Sequence, residues 1–233
     1  MAIRGVFFDL YGTLLVYGDM ARAWDAWFSA FDSCMERHGF RMPWNTMECT
    51  NAAIFDRPMP ATEAGLTRYE CRIKAACAEA GVPVTEACAH ALASDSATAW
   101  GEYVTLDPEA VPLLGELRPR VKLALVSNYD HPPHLRRILA HCGIDVWFDP
   151  IVISGEIGVE KPDPAIFHFC MQQLCLSPHE VVHVGDSVED IEGALAAGCH
   201  AVHIARPGVK PLQIAIPVTI TALAELPLVL DSL

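Results

Sequence analysis

Four short stretches carry side chains able to do chemistry together. "DLYGT" supplies Asp9 and Thr13, "SN" supplies Ser127 and Asn128, "EKPDP" supplies Lys161, and "GDSVED" supplies Asp186, Ser187 and Asp190. A carboxylate can attack an electrophilic centre or ligate a hard cation, hydroxyls can hold anionic oxygens, and an ammonium offsets negative charge. Each residue alone has an ordinary use, since Asp and Ser at a strand end commonly cap the next helix. The set says more than its members. Three of the stretches follow or end short apolar runs, and in an open parallel sheet the carboxyl ends of the strands frame the ligand crevice.

Such a sheet is what the rest of the sequence predicts. Apolar runs of strand length recur as "GVFFDL", "VKLALVSN", "PIVIS", "VVHVGD" and "HAVHIA", separated by segments of helical period. Continuous apolar strands need helices above and below, so the fold class is α/β, a Rossmann-like parallel sheet covered by helices. Helix signals agree. Pro132 and Pro133 suit a first turn, Leu135, Ile138, Leu139 and Cys142 form a stripe, and Gly143 suits the stop. Asp163 and Pro164 open another helix, with Ile166, Phe169, Cys170 and Leu174 expected inward. A third starts near Ser187 and stops at Gly198.

Residues 16–105 break the alternation with helical stripes and no convincing strand. Trp24, Trp27, Phe28, Phe31 and Met35 share one face, Leu66, Tyr69, Ile73 and Cys77 another, and Gly39 and Gly81 suit the breaks. This reads as a helical module inserted after the first strand, with residues 51–65 its irregular loop. The domains expected are therefore 1–15 with 106–233, and 16–105.

"DLYGT", "SN", "EKPDP" and "GDSVED", in this order, resemble the four motifs of the haloacid dehalogenase superfamily, and the insertion resembles the helical cap domain that many members carry. The resemblance implies that Asp9 is a nucleophile forming a covalent ester that water later cleaves. It implies that the hydroxyls of Thr13 and Ser127 hold substrate oxygens, that Asn128 stands beside them among the catalytic residues, and that Lys161 offsets charge on Asp9 and the transferring group. It also implies Mg2+, held by Asp9, Asp186 and the backbone carbonyl of Tyr11, with Asp190 and Ser187 supporting Asp186 from behind. Charge supports a divalent cation independently. Asp9, Asp186 and Asp190 would meet with Lys161 alone to offset them, and clustered carboxylates are costly to ionise at low dielectric.

Tyr11 departs from the pattern of the family's phosphatases, which place a second aspartate two residues after the nucleophile to protonate the leaving alcohol. A phenol, with a pKa of about 10, is a poor base at neutral pH. Leaving groups that need no proton remove the difficulty. Halide is one, and "DLYGT" resembles the opening motif of the metal-free haloacid dehalogenases; acyl and aryl phosphates are others. Phe167 stands where those dehalogenases carry tyrosine, Asp186 where they carry a small polar group, and the surroundings of Arg37 and Arg41 do not match their cap arginine. The preferred reading is a magnesium-dependent phosphatase for a small anionic metabolite. Its alternatives are a 2-haloacid dehalogenase, phosphonate cleavage with Lys74 as the amine, and a non-catalytic member that binds a metabolite or a protein. His131 is the candidate to stand in for the missing acid, and His131, Arg57 and Trp24 are the candidate substrate contacts; Arg68 and Arg72 read as surface charges.

Composition excludes other classes. A formal charge of −13 repels a phosphate backbone, so no nucleic acid partner is expected. No charge-free stretch of about eighteen residues exists, so no membrane span is expected, and the run ending at Asp9 is too short for a signal peptide. Nine cysteines without CxxC spacing read as small buried hydrophobes of a cytoplasmic protein.

Overall fold

The strand "GVFF" is apolar at every position and becomes the centre of the sheet. β1 (Gly5–Phe8) is buried along its whole length and pairs in parallel with β4 (Lys122–Ser127) on one side and β6 (Val181–Gly185) on the other. This computed structural model describes residues 2–41, 54–55 and 59–233. β5 (Ile151–Ile153), β7 (His200–Ile204) and β8 (Thr219–Ile220) complete six parallel strands in the order β5-β4-β1-β6-β7-β8. Winding therefore reverses beside β1, the arrangement that opens a crevice at the strand ends.

Register puts the chemistry level. Phe8 lies opposite Leu125 and Val184, so Asp9, Ser127 and Asp186 leave their strands within two residues of one another along the sheet. Around the sheet run α4 (Ala110–Leu117), the short α6 (Ser154–Ile157), α7 (Ala165–Leu174), α8 (Val188–Ala196) and α9 (Leu226–Leu230), while α5 (Pro132–Cys142) follows α4 in the chain. Their apolar faces close over the strands. Phe7, Ala124, Val126, Ile166, Phe167 and Ile191 belong to one buried cluster.

The chain divides into two compact units. The α/β unit comprises Met1–Tyr17, Thr105–Tyr129 and Leu139–Leu233; the helical unit comprises Gly18–Val104 and Asp130–Ile138. The helical unit holds α1 (Met20–Arg37), α2 (Arg68–Glu79) and α3 (Glu86–Gly101), each opened by a side-chain cap. Thr67 and Glu70 form a reciprocal capping box, which satisfies two backbone donors at the start of α2. Trp27, Phe31, Met35, Tyr69, Ile73, Cys77 and Leu92 form its core. Inside it the Trp27 indole donates to the Tyr69 hydroxyl at 2.8 Å, and that hydroxyl bonds Ser96 Oγ at 3.0 Å.

Three details differ from the sequence expectation. Phe169 is 42% exposed and Phe167 takes the inward place, because residues 166, 167, 170, 171 and 174 lie on the sheet side of α7. Leu66 precedes α2 instead of lying on it. Short strands β2 (Leu15–Tyr17) and β3 (Val104–Leu106), which pair with each other, and β8 carry too few residues for a periodic signal. Most of the expected 51–65 loop, and Cys49, lie outside the described residues. Cys34, Cys71, Cys77, Cys88, Cys170 and Cys199 are buried thiols, whereas Cys175 is exposed. No helix among the described residues is long and apolar enough to cross a membrane.

Candidate active site

Lys161 ties the site together. Its ammonium donates to Asp9 Oδ1 at 2.6 Å, to Asp190 Oδ1 at 2.6 Å and to the Val126 carbonyl at 3.1 Å, all of them buried. Asn128 fixes the lysine backbone, donating to the Lys161 carbonyl at 2.9 Å and accepting from the Lys161 N–H at 2.8 Å. The "SN" pair at the end of β4 thus anchors the loop that carries the lysine. Its neighbour Ser127 is buried at the same strand end.

Asp190 is held from four sides. It accepts from Lys161, from the Ser187 hydroxyl at 2.6 Å, from the Ser187 N–H at 3.1 Å and from His183 Nε2 at 2.8 Å. Ser187 is in turn the N-cap of α8, so one reciprocal box opens the helix and fixes the carboxylate. Gly185 makes room for it, since a Cβ there would strike the Asp190 side chain.

The turn after Asp9 is closed by Leu14 N–H and Leu15 N–H on the Leu10 carbonyl, at 2.9 and 2.8 Å. It passes through Gly12 at φ +84°, where a Cβ would strike the Asp186 carboxylate. Only glycine supplies both the left-handed backbone and the gap. Thr13 follows, fully buried, with no hydrogen-bond partner for its Oγ1 among the described residues. Arg206, at the end of β7, clamps the turn. Its Nε donates to the Gly12 carbonyl at 3.0 Å, a second nitrogen donates to the Thr13 carbonyl, and a third pairs with Asp107 at 2.7 Å.

Carboxylate oxygens of Asp9, Asp186 and Asp190 lie within 4.8 Å of one another. Three carboxylates against one ammonium leave an excess of negative charge, and the acids respond. Burial pushes Asp9 up to about 7, with Asp190 and Asp186 adding to the rise and Lys161 opposing it. Burial and Asp190 push Asp186 up to about 6. Burial also opposes the charge on Asp190, but Lys161 and His183 hold it far below the ordinary range. Burial opposes the charge on Lys161 too, yet Asp190 and Asp9 keep it well above its usual value. Asp190 is therefore committed to internal partners. Asp9 and Asp186, which carry the unrelieved charge, fit a hard cation with oxygen ligands, and the Tyr11 carbonyl is the third donor the sequence offers.

The Tyr11 ring is half-buried and near-parallel to two others, Tyr129 with centroids 5.3 Å apart and Tyr17 at 6.5 Å, both at 16°. Burial pushes the Tyr11 phenol above its usual value, against a bond with Tyr129. It is thus a weaker acid than free tyrosine and stays protonated at neutral pH. Beside Asp186 a cavity of about 190 Å³ is lined by His203, Arg206, Lys210 and Leu212 among others.

The remaining candidates belong to the helical unit. His131 is buried, with Nδ1 3.1 Å from Thr67 Oγ1 and its ring against Tyr69, and burial lowers its pKa. Trp24 is half-buried among the rings of Trp27, Phe55 and Trp100. Arg57 lies outside the described residues. Arg68 and Arg72 pair with Asp130, Arg37 with Asp95, Arg41 with Glu36, and Lys74 with Glu63.

Sequence reasoning missed Arg206, Asp107, His183 and the partners of Tyr11. Arg206 had a signal, because it follows the strand "HAVHI" at the same sheet edge as the other charged groups. His183 sits mid-strand and gave none.

Comparison with known proteins adds three findings. A family model described as a hydrolase, haloacid dehalogenase-like hydrolase, matches residues 3–198. N-acylneuraminate-9-phosphatase of Homo sapiens is 38% identical over 137 residues, 57% of this chain and 54% of that protein; the chain spans about half the length of the curated relatives it matches. Among solved structures, a HAD phosphatase from Thermococcus onnurineus superposes with TM-score 0.71 at 22% identity, covering 98% of both chains. A 2-haloacid dehalogenase from Pseudomonas syringae pv. Tomato DC3000 does so with TM-score 0.71 at 23% identity, covering 99% of both. Equal likeness to two chemistries establishes the shared fold and leaves the reaction to the site.

Proposed function

The chain belongs to the haloacid dehalogenase-like hydrolases, and from that premise we propose that it is a magnesium-dependent phosphatase acting on a small phosphorylated metabolite through an aspartyl-phosphate at Asp9. The observation that carries this reading is the cluster of Asp9, Asp186 and Asp190 around a single ammonium. Asp9, Asp186 and the Tyr11 carbonyl would hold Mg2+, which when bound offsets the charge of the carboxylates and of the phosphoryl group. Displacement of chloride from carbon develops no such charge on the transferring group, so the excess of carboxylates has no use in a dehalogenase.

This chain's own residues then do the following. One carboxylate oxygen of Asp9 attacks phosphorus, the P–O bond to the leaving group breaks, and the electron pair departs with that oxygen. Lys161 keeps Asp9 oriented and offsets charge on Asp9 and on the transferring group. The orphaned Thr13 hydroxyl and Ser127 are donors for phosphoryl oxygens. Water then attacks phosphorus of the aspartyl-phosphate and returns Asp9. Tyr11 takes no proton in either step, since its phenol is held above an already high pKa. General acid–base help is worth about 10² to 10⁴ in rate, so turnover favours esters whose alcohol leaves readily. The helical unit is read as the cap, with His131, Trp24 and Arg57 as its candidate substrate contacts.

The test is phosphate release from p-nitrophenyl phosphate and acetyl phosphate, and chloride release from 2-chloropropionate, each with magnesium and with EDTA. Magnesium-dependent phosphate release is expected. Chloride release insensitive to EDTA would assign the site to the dehalogenases.

A further inference from the structure

Building on the phosphatase reading, we propose that His183 is a positioning residue, which fills the last lone pair of Asp190 and so keeps Lys161 divided between Asp190 and Asp9. The imidazole reaches Asp190 from the middle of β6 and is fully buried. Its Nε2 lies 2.8 Å from Asp190 Oδ1, the same oxygen that accepts from Lys161 Nζ at 2.6 Å. Oδ2 accepts from the Ser187 hydroxyl at 2.6 Å and from the Ser187 N–H at 3.1 Å. A carboxylate offers about four lone-pair sites, and these donors occupy them all. The hydrogen on Nε2 follows from its partner. Against burial, Lys161 and His183 hold Asp190 far below the ordinary range, so the carboxylate has no proton to give and the imidazole donates.

Packing holds the ring in that orientation. Phe167 meets it edge to face, with centroids 4.9 Å apart at 76°. Gly193 of α8 leaves the room for that phenyl, since a Cβ there would stand 2.8 Å from the Phe167 ring. Lys161 has three N–H donors, directed to Asp9 Oδ1 at 2.6 Å, to Asp190 Oδ1 and to the Val126 carbonyl at 3.1 Å. Loss of the imidazole donor would leave a buried carboxylate with an empty lone pair beside a single ammonium, and an uncompensated buried charge is costly. The ammonium would then be drawn towards Asp190 and away from Asp9. His183 thus acts on Asp9 through Asp190 and Lys161.

Two variants separate the donor from the bulk of the side chain. His183→Met removes the donor and keeps an unbranched chain, whereas His183→Gln returns an N–H donor. In crystal structures of the two, Lys161 Nζ is expected to leave hydrogen-bond distance of Asp9 Oδ1 in His183→Met and to keep it in His183→Gln. With acetyl phosphate and magnesium, kcat is expected to fall about 10- to 100-fold in His183→Met, more than KM changes, and far less in His183→Gln. A lysine still bonded to Asp9 in His183→Met overturns the proposal, as does an equal fall in kcat that tracks the melting temperatures of both variants. Should His183→Met fail to fold, nitrogen NMR shifts of the wild-type ring decide: a protonated Nε2 at neutral pH is expected, and a bare one overturns the proposal. Absence of phosphate release from the wild type overturns the phosphatase reading instead, and the crystallographic comparison still decides whether His183 positions Lys161.

Discussion

The two units treat buried charge in opposite ways. In the helical unit Glu70 is 4% exposed, yet the Thr67 N–H and His90 hold its carboxyl below the ordinary range against the pull of burial. Asp130 meets two arginines, and the Tyr69 hydroxyl has a partner on each side. In the α/β unit three carboxylates share one lysine, and two of them are pushed well above their usual values. Balanced polar groups position helices, whereas the unbalanced set stores an electrostatic cost that a bound cation would relieve.

Four experiments sharpen that contrast. Asp9→Asn keeps size and hydrogen bonding but removes the proposed nucleophile, and is expected to lower phosphate release from acetyl phosphate by about 10³-fold or more, with the circular dichroism spectrum retained. Lys161→Met leaves Asp9 and Asp190 facing each other without a cation. Denaturant unfolding in EDTA should show a loss of about 3 kcal/mol or more at pH 7, and a loss under 1 kcal/mol would mean that the lysine is not what balances the site. Asp186→Asn works in the opposite direction. Its carboxyl is raised to about 6 from 3.8, so the folded state holds that proton more tightly and stability falls as pH rises between those values. The variant is expected to stabilise the metal-free protein at pH 7 by about 1 to 2 kcal/mol after allowance for solvent, while losing its thermal response to magnesium.

A comparable effect of opposite sign lies in the helical unit. Burial lowers His134 to about 4 from 6.5. The unfolded chain takes up that proton first, so this contribution is intact above 6.5 and is lost as pH falls towards 4. His134→Gln is expected to reduce the wild-type stability difference between pH 7 and pH 4.5 by about 2 kcal/mol. Together, Asp186→Asn and His134→Gln should shift the pH dependence with opposite signs, one for each unit.

Much of this was legible in the sequence, for physical reasons that differ by element. β1, β4, β5, β6 and β7 showed because central parallel strands are apolar on both faces. Pro132 with Gly143, and Ser187 with Gly198, showed because helix ends have chemical requirements. Asp9, Lys161, Asp186 and Asp190 showed through motif order, and the structure brings them together within hydrogen-bond or ligand distance. What did not show depends on pairing between distant segments. Nothing in position 183 says that its imidazole reaches Asp190, and nothing in positions 17 and 129 says that both rings meet Tyr11. Phe169 was misplaced because α7 buries adjacent residues 166 and 167, a shift of the stripe that a short helix cannot reveal from periodicity.

The Arg206 clamp carries a consequence for modularity. Gly12 and Thr13 precede the inserted segment and Asp107 follows it, and one guanidinium grips all three. The Asp107 N–H on the Leu14 carbonyl at 2.9 Å closes the same stem. Whatever lies between is looped out from a fastened base, so the turn after Asp9 is insulated from the length and composition of the insert. A graft that swaps the insert is expected to inherit that fastened turn unchanged.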